Sequence, residues 1–463
     1  MFSDQTYIER RAQLRRAVGG GVIIIPANCE APNSYPNNPY YFRQDSSFRY
    51  LFALNAPSYV GVMDCDAGED YLFGKEPTLI DTIWSGALPH LSEQAAHSGV
   101  PRSYPISELA AYVAKQQSLG REIHILPPYR GETVLQLCDL LGVNPSQLKS
   151  YTSTKLLFAM ALMREVKSDE EIVEMEHAYA IGARMHRRAM ELTRAGASER
   201  FVSGEMEGIA RSYGGGVSFP SIYTQHGEIL HNTSQGGVLQ SGRMVLCDAG
   251  AETLSGYCSD HTRSYPVDGR FTQKQRDIYN IVLASHNHVR ESARAGMFYA
   301  DLHAEAQRVL VSGLRDVGLL RGEMEQIIES RVVELFMPHG VGHSLGMDVH
   351  DCEAFGERSF DFAPYDELAR EYKVAVCRKY WLLREGAVIT NEPGVYFIGA
   401  LIDESRREGK YNSVVNWELL DTYRDFGGIR IEGDLLITRG GCREIGDDSI
   451  PKSVESIESF MKR

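Results

Sequence analysis

Apolar runs and amphipathic segments alternate over the first third of the chain. Residues 21–26 form a β-branched run typical of a buried strand, and residues 7–19 before it have the spacing of a helix. The same criteria predict strands over 58–63, 70–73 and 122–126, and helices over 92–97 and 106–117. Alternation of this kind predicts a small α/β domain.

A capping box, Ser168-Asp169-Glu170-Glu171, marks the start of a long amphipathic helix. The apolar face of this helix is predicted to consist of Ile172, Met175, Tyr179, Gly182 and Met185. We expect the domain boundary just before it, near 155–163. The predicted domains are therefore residues 1–160 and 161–463.

The second domain is predicted to mix strands and helices, which gives the whole chain an α/β (α+β) class. Strands are predicted over 244–248, 386–390, 395–397, 428–431 and 435–438, and helices over 272–294, 299–317 and 322–335. We expect the charged stretches 364–380 and 402–412 to be surface insertions.

Length and composition restrict the class of protein. A chain of 463 residues is too long for one core, and its net charge of −14 argues against nucleic acid or an anionic membrane as partner. We find no signal peptide and no apolar run long enough to cross a membrane. Eight scattered cysteines without a C-x-x-C pair are typical of reduced thiols, so we expect a cytoplasmic protein.

Four carboxylates and one imidazole stand out as candidate metal ligands. They are Asp248, Asp260, His343, Glu392 and Glu432, and all except His343, which lies on a glycine-rich turn, fall on predicted strands or strand ends. Oxygen donors with a single nitrogen suit two divalent cations such as Mn²⁺, Co²⁺, Fe²⁺ or Zn²⁺. Such a pair would share some carboxylates and activate a bridging water as a nucleophile.

These motifs resemble the pita-bread metallopeptidase family, and in particular its X-Pro branch of prolidase and aminopeptidase P. The resemblance covers nearly the whole chain. It includes Phe-Arg-Gln-Asp-Ser-Ser-Phe at 42–48, Trp-Ser-Gly at 84–86, the capping box, all five ligand motifs and Phe-Met-Pro-His-Gly at 336–340. It implies a small N-terminal domain for dimerisation and for capping the site, followed by a pita-bread catalytic domain.

The resemblance also implies a role for each candidate ligand. Asp248 would chelate one metal, Asp260 and Glu432 would bridge both, and His343 and Glu392 would complete the other site. Glu392 would also act as general base when the bridging water attacks the scissile carbonyl. We expect manganese as the metal, with cobalt, zinc or iron as alternatives.

Further residues resemble the substrate side of the family's site. His231, His339 and His350 match histidines that contact the scissile carbonyl or stabilise the tetrahedral intermediate. Arg430, two residues before Glu432, is predicted either to orient a carboxylate or to form a surface ion pair. Trp84 matches a residue that reaches into the partner subunit's site, which implies a homodimer.

Arg378 bears on which X-Pro peptides are cleaved. It lies fourteen residues before Glu392, where eukaryotic-type prolidases have an arginine that binds the dipeptide's terminal carboxylate. We therefore favour an Xaa-Pro dipeptidase, and keep an Xaa-Pro aminopeptidase as the alternative, with Arg378 then a solvated charge. A non-catalytic peptide-binding relative is a more remote alternative, because all five ligands are present.

Two departures from the family pattern affect the site. Asp248 and Asp260 are twelve residues apart, one more than expected, so a bulge or a wider hairpin must bring them together. The segment 219–227 also lacks the Ser-Gly-x-Asn run expected before His231. The wall of the substrate pocket is therefore the least constrained part of the resemblance.

Overall fold

A computed structural model describes residues 2–355 and 363–462 of the chain. Contacts divide the chain into two units. The first comprises Met1–Arg164 with Cys352–Tyr372, and the second comprises Glu165–Asp351 with Lys373–Arg463. The sequence placed Cys352–Tyr372 in the second domain, because nothing in its pattern indicates that a segment so far along the chain returns to the first unit.

Helices and strands alternate along the described residues. Up to residue 165 they are α1 Asp4–Val18, β1 Val22–Pro26, α2 Ser46–Phe52, β2 Val60–Asp64, β3 Glu69–Gly74, α3 Leu79–Ser85, α4 Leu91–His97, β4 Arg102–Pro105, α5 Leu109–Ser118, β5 Ile123–Ile125, α6 Gly131–Leu141, α7 Pro145–Leu148 and α8 Thr154–Glu165. From there they are α9 Asp169–Leu192, α10 Glu199–Tyr213, β6 Gly216–Val217, β7 Ile222–Thr224, β8 Met244–Ala249, β9 Ala251–Glu252, β10 His261–Pro266, α11 Gln273–Ser292, α12 Tyr299–Asp316, α13 Met324–Glu329, α14 Ala363–Tyr372, β11 Val388–Asn391, β12 Gly394–Tyr396, α15 Gly399–Arg407, α16 Trp417–Asp421, β13 Gly428–Arg430, β14 Gly433–Thr438, β15 Gly441–Glu444 and α17 Val454–Phe460. No helix in the described part of the chain is long and apolar enough to cross a membrane. The mixed α/β class predicted from the sequence is confirmed.

The first unit is built on a five-stranded sheet in the order β4-β3-β2-β1-β5. The apolar strand β1 pairs antiparallel with β2 and parallel with β5, so it has neighbours on both edges. Its residues Val22, Ile23, Ile24 and Ile25 are all buried. A continuous apolar run is what a strand covered on both faces requires.

The second unit has several small sheets, among them β10-β8-β7 and β11-β14-β15. Its helix α9 starts at the predicted capping box: Ser168 Oγ accepts from the Glu171 N–H, and the Glu171 carboxylate accepts from the Ser168 N–H. The predicted apolar face of α9 is buried. Buried residues of this helix and of the strands share one large core.

Two predictions about the second half of the chain are wrong. The helix predicted over 322–335 is shorter, because Arg331 adopts a left-handed backbone (φ 58°) and the chain continues as a 3₁₀ turn that buries Val332. The stretch 364–380 is not simply a surface insertion, since Val374 and Cys377 are buried among its charged residues. The stretch 402–412 is charged and mostly exposed, but Ile402 packs into the core.

Candidate metal centre and substrate pocket

The strands β8 and β10 bring the two aspartates together. These strands pair antiparallel with Thr262 opposite Asp248, and Asp260 lies two residues before Thr262 on the same face. Between the strands the chain passes so close to itself that a Cβ on Gly250 would collide with the Ser259 carbonyl. The two aspartates therefore lie on one face of this strand pair, although their twelve-residue spacing departs from the family pattern.

The turn 339–343 is held against strand β11. A Cβ on Gly342 would collide with the Thr390 carbonyl, and the His343 N–H donates to Thr390 Oγ1 (3.1 Å). His343 Nδ1 lies 3.1 Å from the Ser344 carbonyl, so we assign the proton to this nitrogen. The lone pair of Nε2 then faces Asp260 (3.4 Å) and Glu392 (3.6 Å), as a metal-ligating histidine requires.

The two glutamates follow strands β11 and β13. The Glu392 N–H donates to the Val341 carbonyl, which ties the end of β11 to the glycine-rich turn. Glu432 is fixed at two points by Thr262, because its N–H donates to the Thr262 carbonyl (3.0 Å) and its Oε2 accepts from Thr262 Oγ1 (2.6 Å).

Burial and mutual repulsion shift the proton equilibria of these carboxylates. Burial, followed by the charges of Glu432 and Asp248, raises the pKa of Asp260 well above its usual range. Burial also raises the pKa of Glu432, with Glu392 as the next cause. The pKa of Glu392 rises to about 7, chiefly by burial. Carboxylates gathered in a buried site cannot all stay ionised unless cations balance them.

The donor set therefore fits divalent cations. Ligand atoms of Asp260, His343 and Glu432 lie within 4.8 Å of one another. Among the described residues, Asp248 Oδ1 and Asp260 Oδ1 are buried without a hydrogen-bond partner. Buried carboxylate oxygens that no protein donor satisfies are expected where a metal binds. Asp248 and Glu392 line the same cavity as these three residues.

This cavity has a volume of about 430 Å³ and contains most of the residues that the sequence singled out. Its lining includes all five candidate ligands together with His231, His339, His350, Arg378 and Arg430. Apolar side chains form another part of the wall, namely Phe219, Pro220, Ile222, Leu230 and Val349. A cavity of this size, apolar with a few converging polar groups, is suited to a small ligand.

Arg430 is buried, with 4% of its surface exposed, and its contacts are internal. Its guanidinium donates to Asp248 Oδ2 (2.6 Å), Thr262 Oγ1 (3.1 Å) and the Tyr396 hydroxyl (2.8 Å). In the structure Arg430 orients the carboxylate of Asp248, which is one of the two alternatives predicted for it, and does not form a surface ion pair.

His339 is linked to this arginine through Tyr396. Because Arg430 donates to the Tyr396 oxygen, the tyrosine proton is available to His339 Nε2 (2.9 Å), and His339 Nδ1 lies 2.8 Å from the Gly340 carbonyl. Burial and the charge of Arg430 lower the pKa of His339 to about 3. His339 is therefore neutral, and one of these bonds must break before it can donate to a substrate oxygen, the role predicted for it.

The remaining predicted residues are His350, His231 and Arg378, which line the cavity, and Trp84. The His350 ring stacks on that of His343, with centroids 3.8 Å apart. His231 lines the cavity and is exposed, and Arg378 is half-buried in its wall. Trp84 belongs to the first unit, where 83% of its surface is exposed.

Several residues that contact the centre were not identified from the sequence. Thr262, Thr390 and Tyr396 bond directly to candidate ligands or to Arg430 and His339. Thr262 and Thr390 each lie two residues from a candidate ligand, so alternation along a strand places both side chains on one face. That periodicity is the signal that would have identified these two threonines.

The chain is similar in sequence to known metallopeptidases over most of its length. Residues 173–439 match the sequence model of metallopeptidase family M24, and residues 7–125 match that of the aminopeptidase P N-terminal domain. The chain is 29% identical to the human Xaa-Pro dipeptidase, over 99% of this chain and 92% of that protein. It is 32% identical to a probable Xaa-Pro aminopeptidase of Aspergillus fumigatus, over 95% and 92%.

Solved structures of aminopeptidase P have the same fold as this chain. Aminopeptidase PepP of Pseudomonas aeruginosa superposes with a TM-score of 0.80 at 27% identity, covering 99% of this chain and 98% of that one. Zinc-substituted aminopeptidase P of Escherichia coli in complex with product gives 0.80 at 29% identity, with the same coverage. The resemblance stated from the motifs is thereby confirmed, and the chain belongs to metallopeptidase family M24 as a metal-dependent peptidase.

Proposed function

We propose that the protein hydrolyses the peptide bond of Xaa-Pro dipeptides. The observation that supports this most directly is the position of Arg378, whose cationic side chain lines the cavity that also holds the carboxylate cluster. A free dipeptide has a terminal carboxylate close to its scissile bond, and a longer peptide does not. The similarity to an Xaa-Pro dipeptidase over 99% of this chain is consistent with this proposal.

The bond before proline calls for a dedicated enzyme. Its nitrogen is a tertiary amide without an N–H, and the ring fixes φ, so enzymes that bind substrates as extended strands handle it poorly. In this protein Phe219, Leu230 and Val349 supply an apolar wall suited to a proline ring. Burial of the proline ring against these apolar side chains would direct the scissile carbonyl toward the carboxylate cluster.

Asp248, Asp260, His343, Glu392 and Glu432 would hold two divalent cations. When bound, such cations polarise a carbonyl and lower the pKa of a coordinated water. A set dominated by oxygen donors favours manganese, and does not exclude cobalt, iron or zinc. Arg430 orients the Asp248 carboxylate by donating to its Oδ2.

Glu392 is the general base in this proposal. With the cations bound, its carboxylate stays ionised and takes the proton of the attacking water at one of its oxygens. Thr390 Oγ1 lies 3.4 Å from Glu392 Oε1 and would orient the carboxylate. His350 and His231, both on the cavity wall, would donate to the carbonyl oxygen as charge develops there.

Three substrates test the assignment: an Xaa-Pro dipeptide, its C-terminal amide, and the same sequence extended by several residues. The wild type should cleave the free dipeptide with the highest kcat/KM. Arg378→Ala should remove that preference through KM, since a hydrogen bond to a charged group contributes about 1.5–3 kcal/mol. The exposed neighbour Lys379, replaced by alanine, is the matched control and should change neither value.

The alternative is an Xaa-Pro aminopeptidase. It is favoured by the match of residues 7–125 to the aminopeptidase P N-terminal domain and by the aminopeptidase P structures. Equal or faster cleavage of the extended peptide by the wild type would establish this alternative and contradict the role proposed for Arg378.

We also propose that the protein is a cytoplasmic homodimer. Helix α3 exposes Leu79, Ile80, Ile83 and Trp84, an apolar surface suited to a second copy. Among the described residues, which include all eight cysteines, there is no disulfide, as expected in a reducing compartment. Light scattering should give twice the chain mass, and Ile83→Glu should lower it toward the monomer; a wild-type monomer would contradict the proposal.

A further inference from the structure

Tyr299, the first residue of α12, is buried beside the cavity although no sequence motif contains it. Only 5% of its surface is exposed. Its ring packs between His303 and Trp381, with centroid distances of 6.3 and 5.3 Å. The Tyr299 N–H donates to the Trp381 carbonyl (2.9 Å), so backbone and ring together fix where the side chain points.

The Tyr299 hydroxyl is fully used by the pocket wall. It donates to the Gly342 carbonyl (2.9 Å) and accepts from the Gly342 N–H (3.3 Å). The side chain of Arg378 lies beside the same hydroxyl and is placed to donate to it. A phenol oxygen has one proton and two lone pairs, so this third bond would complete its capacity.

Tyr299 and Arg378 leave no room for a side chain at position 340, which is a glycine. A Cβ on Gly340 would collide with the Tyr299 hydroxyl and lie 3.3 Å from Arg378 Nη1. The hydroxyl thus joins two parts of the wall: the turn that leads to His343 and the segment that includes Arg378.

Arg378 lies in a turn between α14 and β11, where Val376 and Cys377 anchor the backbone by burial. A guanidinium binds a carboxylate well when its plane is already oriented, because less rotamer freedom is then lost on binding.

We propose that Tyr299 is a positioning residue that orients Arg378 and thereby determines the preference for substrates with a free C-terminal carboxylate. This inference rests on the proposed function, in which Arg378 binds that carboxylate. Tyr299 itself does not contact the substrate.

The test compares Tyr299→Phe with the wild type on an Xaa-Pro dipeptide and on its amide. Phenylalanine keeps the ring between His303 and Trp381 and removes only the hydroxyl. We expect the ratio of kcat/KM for the free dipeptide to that for the amide to fall about tenfold, through KM of the free dipeptide, with kcat within about a factor of two. Tenfold corresponds to about 1.4 kcal/mol, within the range for a hydrogen bond to a charged group.

The control is Tyr279→Phe, which removes another buried hydroxyl of the same unit, one that donates to the Lys452 carbonyl (2.6 Å). It should leave the ratio unchanged even if it lowers the melting temperature. The double variant Tyr299→Phe/Arg378→Ala should match Arg378→Ala alone, because the hydroxyl acts only through the arginine. Metal content, measured by elemental analysis, should equal that of the wild type in every variant.

The outcomes separate the inference from the proposed function. An unchanged ratio in Tyr299→Phe, together with a lost preference in Arg378→Ala, would overturn the inference alone. No effect of Arg378→Ala would overturn both. An equal loss on both substrates, or a loss of metal, would show that the hydroxyl merely supports the turn. If Tyr299→Phe does not fold, Gly340→Ala displaces the same hydroxyl and should lower the same ratio.

Discussion

The two units differ in how the negative charges of their buried carboxylates are balanced. In the first unit, Asp64 accepts two hydrogen bonds from Arg121 (2.5 and 2.8 Å), and although burial opposes it, these bonds and the arginine charge lower the pKa of Asp64. In the second unit, Asp260 and Glu432 lie among other carboxylates and their pKa values are raised. The first arrangement balances its own charge, and the second requires cations from outside.

This comparison distinguishes a structural ion pair from a site. Arg11 is completely buried and donates to Asp70 and to two backbone carbonyls, so its hydrogen bonds are internal to the first unit. In the second unit, four carboxylates share one cavity with two arginines, Arg378 and Arg430. The excess negative charge destabilises the fold unless cations neutralise it. Perturbed carboxylates in a cavity are therefore the better indicator of function.

The largest effect is expected from Glu392→Gln. The amide cannot accept the water's proton, so kcat should fall about 10²–10⁴-fold, the range typical of acid–base catalysis. Steady-state assays with saturating Mn²⁺ give kcat, and circular dichroism should show an unchanged fold. The exposed Glu385→Gln serves as the control and should be fully active. Retention of more than a tenth of wild-type kcat would exclude Glu392 as the base.

The second prediction concerns the buried ion pair between Arg11 and Asp70 in the first unit. Arg11→Leu leaves Asp70 with Arg15 as its remaining partner and frees the Leu51 and Gly99 carbonyls. We expect a loss of about 3–5 kcal/mol in the free energy of unfolding, measured by urea denaturation, because the buried Asp70 keeps only one of its two arginine partners and two carbonyls lose their donor. Metal content should not change. The exposed Arg16→Leu should cost little, and an equal cost for both variants would contradict the buried-pair argument.

The third prediction concerns pH and the metal-free protein. Glu392 has a folded pKa of about 7 against an ordinary 4.5, so the folded state binds more protons between these values, and stability falls as pH rises from about 4.5 to about 7. At about 1.4 kcal/mol for each pKa unit, this group alone accounts for about 3 kcal/mol. Urea titrations of chelated protein at several pH values measure it.

Bound cations should remove this dependence, because they keep the carboxylates ionised in the folded state, and metal binding should release protons and tighten as pH rises. Calorimetry in buffers of different ionisation enthalpy gives the number of protons released. A metal-free protein whose stability stays constant or rises over this pH range would show that the carboxylates are not protonated before the metal binds.

Much of the site could be anticipated because ligand chemistry is local. Asp248, Asp260, His343, Glu392 and Glu432 were identified from residue type and motif, and the structure brings them to one cavity. The break at Arg331 could not be anticipated, because the helical pattern continues through it and only packing of the following residues selects the turn. For the same reason, the burial of Val374 and Cys377 was not visible within a charged stretch.

Taken alone, the sequence determined the α/β class, the start of α9 and the identity of the candidate ligands, since these depend on periodicity, capping and donor chemistry over a few residues. Tertiary structure decided what surrounds those ligands. The bonds that join Tyr299 to Gly342, and Arg430 to Asp248, span 43 and 182 residues of chain. Such contacts arise only when distant elements pack together, and no local pattern specifies which side chains then meet.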